Sequence, residues 1–178
     1  MSDNDTTVES QVAAPATASG TPAATRWLDD TEQHAWRVFL RMQARLTARL
    51  GRDLQADSDL SIADYDVLVH LTDLDGGRRR ILELARELDW EKSRMSHHLA
   101  RMTKRGLIAR EECSADGRGA FIAITPEGQA AIEAAAPRHV ESVRSLVFDA
   151  LTADQVTVLA AVSEKILGRL DSPDPCDS

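Results

Sequence analysis

Residues 90–108 read WEKSRMSHHLARMTKRGLI. From Lys92 to Arg110 there are six Lys or Arg and no Asp or Glu, although the chain as a whole carries 29 acidic and 21 basic residues. Wound as a helix at about 100° per residue, this stretch brings Leu99 and Met102 within about 40° of Met95, and the three form a buried side. Ser93, His97 and Lys104 lie opposite with Arg101 beside them, and Arg94 and Ser96 flank that face. Such a face offers hydrogen-bond donors to base edges and phosphates. A basic helix face by itself is usually only a solvated surface, so its neighbours decide its meaning.

Upstream, Ile81, Leu84, Ala85 and Leu88 mark a short helix. Asp89 is placed to cap the next helix, which runs from 90 to about 105 with Gly106 as its end signal. Almost nothing separates the two helices, so they must meet at a sharp angle, a helix-turn-helix. Downstream the period changes to that of strands over 107–112 and 121–125. The loop between them, CSADGRGA, holds Asp-Gly and a second Gly, which predicts a hairpin with a longer loop. A hairpin beside a reading helix is a wing, and Arg118 at its tip suits a narrow, electronegative minor groove.

Helices flank this unit. Trp36, Phe39, Leu40, Leu46 and Leu50 make one stripe over 30–51, with Gly51 as a stop. Ser61, with Asp64 three residues later, starts a helix that Tyr65, Leu68, Val69 and Leu71 carry to about 73, where Gly76-Gly77 breaks it. Arg78, Arg79 and Arg80 follow these glycines, so a mobile basic turn is expected, solvated or touching phosphates. Thr125-Pro126 opens a helix to about 151, in which Pro137 predicts a kink or break. A last helix after Thr152 has Val156, Leu159, Val162, Ile166 and Leu170 as its stripe. The ends, 1–25 and 171–178, lack periodicity and bulk and read as disordered tails.

Composition agrees with a mainly α fold bearing a small β-hairpin. The 178 residues suffice for one domain with a real core, and 43% hydrophobic with 4% aromatic content predicts a core of Leu, Ile, Val, Ala and Met. The net charge of −8 argues against an indiscriminate polyanion binder. The charge is also sorted: residues 78–118 hold eleven basic and seven acidic side chains (+4), leaving ten and 22 (−12) for the rest. Two cysteines, Cys113 and Cys176, make no disulfide framework and suit a reducing cytosol. With neither a signal sequence nor an apolar run of membrane length, a cytoplasmic location away from membranes is expected.

The sequence resembles the MarR family of winged helix-turn-helix regulators, through SRMSHHLARMTKRGLI at 93–108, ADGRGAFIAITPEG at 115–128 and SIADYDVLVHL at 61–71. The Asp-x-Arg of the wing, followed by a strand and Thr-Pro-x-Gly, is the most specific piece. The likeness covers about 30–170 and implies a winged helix-turn-helix over 61–125, with dimerisation helices over 26–60 and 126–170. It further implies Arg94, Ser96, His97 and Arg101 as major-groove readers, Ser93 as a phosphate contact, Arg118 as the minor-groove residue and Asp116 as the acid that fixes the wing. A homodimer would then bind a pseudo-palindromic site on double-stranded DNA, as a repressor released by a small aromatic or phenolic effector.

The family likeness also raises an effector pocket, for which Trp36, Phe39, Tyr65 and His70 are the candidates, although plain core residues would look the same. A redox switch finds no Cys near the first helix, and Cys113 sits beside Glu111 and Glu112, which disfavour a thiolate. For a metal, adjacent His97 and His98 point about 100° apart on a helix and do not share an ion easily, so no metal and no cofactor are expected. Phosphate-loop, nucleophile-elbow and zinc-protease motifs are lacking, which argues against an enzyme. A winged helix that binds only protein is the remaining rival, and the acid-free reading face speaks against it.

Overall fold

A computed structural model of the chain describes residues 25–73, 76–112 and 120–172. It falls into two units, divided between Arg37 and Val38. Asp116, Arg118, both cysteines, the tip of the predicted wing and nearly all of both tails lie outside the described residues. In the first unit, Asp29 and Glu32 cap the start of helix α1 (Asp30–Ser58) reciprocally: each backbone N–H donates to the other's carboxylate.

The second unit holds the rest of α1 and then α2 (Ile62–Thr72), β1 (Arg78–Arg80), α3 (Ile81–Glu87) and α4 (Lys92–Lys104). Strands β2 (Ile108–Glu112) and β3 (Ala120–Ile124) follow, then α5 (Pro126–Leu146), a short 3-10 turn and α6 (Ala153–Leu170). The strands form one antiparallel sheet in the order β1-β3-β2, with Arg79 opposite Ile122 and Arg110 opposite Ile122 from the other side. Among the described residues no single helix is long and apolar enough to cross a membrane.

Each start signal has a local cause. Ser61 caps α2 in a full capping box with Asp64. Thr125 caps α5 by accepting from the Gly128 N–H, with Pro126 in the first helical turn. Thr152 and Gln155 form a second capping box at α6. At the end of α4, Gly106 adopts φ +75°; its N–H donates to Thr103 O, and the Leu107 N–H reaches back to Met102 O. That pair of bonds is a Schellman closure, which needs the left-handed residue that glycine supplies.

The core is aliphatic. Val67, Leu68 and Leu71 of α2, Leu84 of α3, Met95, Leu99 and Met102 of α4, and Ile108 and Ile122 of the sheet are all buried, with Leu54 and Ile132 closing its edges. The buried side expected for the helix over 90–105 is therefore correct. By contrast α6 buries no residue among the described residues: Val158, Leu159, Val162, Ile166, Leu167 and Leu170 stay exposed.

Four expectations need correction. Gly51 does not stop α1, which runs on to Ser58. A mid-helix glycine costs only about 1 kcal/mol, and the segment beyond it is held by buried Leu54 and by the Arg49–Asp53 ion pair across one turn. Asp89 does not cap α4; it takes φ +49° in the turn, and Glu91 occupies the cap position. Pro137 lies inside α5 without interrupting it, and that helix ends at Leu146 rather than near Leu151. Arg78, Arg79 and Arg80 are not a mobile turn but strand β1, held by the ladder to β3. Arg79 pairs with Glu87, while Arg78 and Arg80 lie over the Phe121 ring at 4.7 and 5.1 Å.

One close approach fixes the base of the sheet against α5. A Cβ added to Gly128 would lie 2.0 Å from the Leu107 carbonyl oxygen. Gly128→Ala is expected to cost roughly 1–3 kcal/mol through backbone displacement, read from the midpoint of a urea titration at unchanged slope.

Candidate nucleic-acid interface

The exposed side of α4 collects the residues expected there: Ser93, Arg94, Ser96, His97, Arg101 and Lys104 are all exposed. Nothing acidic occurs on α4 itself, and the next acid after it is Glu111. Ser96 Oγ donates to the Lys92 carbonyl, one turn back. The Arg94 guanidinium stacks on the Trp90 ring at 4.3 Å from its centroid. An Arg101 amino group donates to His98 Nδ1 at 3.0 Å. Arg79 and Arg80 stand apart from this face on β1, and Arg79 is mostly covered, its side chain 18% exposed.

Beneath the face lies a buried polar cluster. Asp64 Oδ2 accepts from the Ser61 N–H at 2.9 Å, from Ser61 Oγ at 2.8 Å and from Arg105 at 2.8 Å. Its other oxygen, Oδ1, is 3.1 Å from His98 Nε2, out of line for a good hydrogen bond, so that contact is chiefly electrostatic. Burial alone would raise the Asp64 pKa; the contacts from His98 and Ser61 outweigh it and hold the carboxyl well below the usual carboxylate range. Arg105 also donates to the Asp59 carbonyl at 2.5 Å, so the last turn of α4 is tied to the start of α2.

Sequence reasoning set His98 aside with His97 as a poor metal pair and gave it no place on the helix. Its signal was available: on the helical wheel it falls about 60° from Met95, on the flank of the buried side. The Arg105–Asp64 pair joins residues 41 apart and left no local trace.

The residues named for an effector pocket are dispersed in character. Trp36 belongs to the first unit and Phe39 to the exposed face of α1 in the second. Tyr65 packs on His139, ring centroids 4.4 Å apart, and His70 Nδ1 lies 2.8 Å from the Asp66 carbonyl. A cavity of about 10 Å³ beside His139 has room for about one water and none for an aromatic acid. Burial pushes the His139 pKa below 6.5, against the opposing pull of Asp66.

Among curated proteins none matches this chain. A family model described as MarR family matches residues 58–119. The solved structure of AbsC, a MarR family transcriptional regulator from Streptomyces coelicolor, is 40% identical, with a TM-score of 0.78 over 82% of this chain and 98% of that one. Sco3205, a MarR family transcriptional regulator from the same organism solved in complex with DNA, is 36% identical, with a TM-score of 0.81 over 85% of this chain and 95% of that one. BpsR of Bordetella bronchiseptica, whose DNA binding is regulated by 6-hydroxynicotinic acid, shares the fold at 22% identity and a TM-score of 0.66, over 75% of this chain and 98% of that one.

Two predictions test the interior of the site. Asp64→Ala removes the N3 half of the capping box and strands the buried donors of Ser61 and Arg105 at about 1–3 kcal/mol, so a loss of roughly 1–3 kcal/mol is expected in chemical denaturation. His139 takes up a proton more readily unfolded than folded, so its contribution to stability is present at neutral pH and lost as pH falls below 6.5. His139→Asn should therefore flatten the fall in Tm between about pH 7 and pH 5; an equally steep fall in the variant would refute this.

A helix-turn-helix with its basic face outward, backed by a three-stranded sheet and matched over nearly the whole length of two regulators at more than one-third identity, places the sequence in one group: the chain belongs to the MarR family of winged helix-turn-helix transcription regulators, DNA-binding proteins rather than enzymes.

Proposed function

We propose that this regulator binds a pseudo-palindromic operator as a homodimer and represses transcription until a small aromatic acid releases it. The observation that carries the DNA reading is the exposed face of α4, basic and free of acid on an otherwise anionic chain. In this reading Arg94, Ser96, His97 and Arg101 contact base edges, Ser93 and Lys104 contact phosphates, and Arg118 enters the minor groove with Asp116 bracing it. Arg80 can add a phosphate contact, whereas Arg79, paired with Glu87, is the weaker of the two. Residues 61–125 form the reading part, and 26–60 with 126–170 the dimerisation part. The dimer is supported by α6, an amphipathic helix whose apolar stripe has no cover among the described residues. Such a regulator acts in the cytoplasm, where its operator is.

The effector is the finer part of the reading. Its support is the family together with BpsR, which shares the fold and responds to an aromatic acid. A ligand that favours a dimer with wrongly spaced reading lobes would release the operator. Thermal shift against a panel of aromatic acids tests this; no stabilisation by any of them removes the effector from the account.

A duplex selected from a randomised pool supplies the direct experiment. Its two half-sites should lie about 10–10.5 base pairs apart, and log affinity should fall linearly with log salt. Arg94→Ala is expected to lose roughly 1–3 kcal/mol of discrimination at one base pair in each half-site. A complex of one subunit per duplex, or affinity indifferent to salt, would overturn the proposal.

A further inference from the structure

His98 is 6% exposed, yet a Leu or Met would fill its place in an aliphatic core without polar atoms to satisfy. Its contacts account for the imidazole. A guanidinium only donates, so the bond from Arg101 requires a lone pair on His98 Nδ1 and leaves the ring proton on Nε2. The Nε2 that carries it lies 3.1 Å from Asp64 Oδ1, out of line for a good hydrogen bond, and Asp64 is itself fixed by Ser61 and Arg105. The flank of the same ring meets Trp90 edge to face, centroids 5.2 Å apart and planes at 86°, and Trp90 carries Arg94 on its face. Two exposed arginines of the reading face thus rest on one buried imidazole, Arg101 directly and Arg94 through an indole.

We propose that His98 is a positioning residue for DNA recognition, holding Arg101 in its reading orientation by accepting its hydrogen bond, with the ring itself buried between the Asp64 carboxylate and Trp90. This rests on the reading of Arg101 as a base contact. A long side chain that is already ordered loses less freedom on binding, and its fork meets a base edge in one geometry rather than many. The contribution of His98 is therefore to discrimination between bases, on top of whatever it adds to the core.

The test compares the selected duplex with versions changed at one base pair at a time, taking the ratio of affinities as the readout. A purely structural role lowers Tm and overall affinity but leaves that ratio unmoved. Arg101→Ala first identifies its base pair by a collapse of the ratio there; if no position responds, the reading of Arg101 fails, and with it the premise. Given that position, His98→Leu is expected to lower the ratio about 2- to 12-fold, the range corresponding to the ordering of one such side chain. In the Arg101→Ala background the same change should have no further effect on the ratio, because the side chain it positions is gone. His98→Asn keeps an acceptor near the place of Nδ1 and should retain most of the discrimination, which also covers the case in which His98→Leu fails to fold. A wild-type ratio in His98→Leu, an equal loss with and without Arg101, or a collapse in His98→Asn to the level of Arg101→Ala would each overturn the proposal.

Discussion

A single carboxylate, that of Asp64, ties α2 to α4. It lies at the first turn of α2, where its reciprocal bonds with Ser61 start the helix. From the same place it takes Arg105 from the end of α4 and faces His98 from its middle. Removing a carboxylate from water is costly, and only a full set of donors makes the charge tolerable. Here Oδ2 receives three donors, two from Ser61 and one from Arg105, while Oδ1 lies 3.1 Å from His98 Nε2 without a good hydrogen bond. The result is a polar joint inside an otherwise aliphatic core. Hydrophobic contacts among Leu68, Leu71, Met95 and Met102 bring α2 and α4 together without specifying an angle; directed bonds at Asp64 select one.

Charge is organised by the same division. Basic side chains gather on α4 and β1, and three acids beside them are engaged by arginines: Glu87 by Arg79, Glu111 by Arg78 and Asp64 by Arg105. What remains outward on α4 is positive, on a chain of net charge −8. Opposite signs on different faces of a regulator orient its approach to a duplex, while the anionic remainder discourages indiscriminate adhesion to nucleic acid.

Much of this was legible because its causes are local. The Ser61–Asp64 box, the Thr125-Pro126 start and the Gly106 closure each need only residues within one turn. The Met95–Leu99–Met102 stripe follows from helical period alone, and the family likeness from motif spacing. What escaped depends on partners distant in sequence. Three consecutive arginines have no strand character of their own; they become β1 because β3 offers a ladder and Phe121 offers its ring. Glycine and proline signals at Gly51 and Pro137 are preferences of about 1 and 3 kcal/mol, and the helices around them continue regardless. Asp89 was misassigned because Asp serves equally as a cap and as a left-handed turn residue, and the tight turn into α4 requires the second. His98 is hard to read from the sequence because helical period separates apolar from basic residues, and a buried imidazole belongs to neither set.

The contact at Gly128 carries a mechanical corollary. The first turn of α5 presses its bare Cα side against the Leu107 carbonyl, three residues past α4, while Thr125 Oγ1 donates to the Gly106 carbonyl at 2.6 Å and the Thr125 N–H to the Leu107 carbonyl at 3.2 Å. With no side chain between them to act as a cushion, the two backbones behave as meshed parts. The nearly six turns of α5 thus meet the C-terminal end of α4 at a contact whose only spacer is the hydrogen of a glycine, which makes the long helix a lever arm with a stiff hinge point.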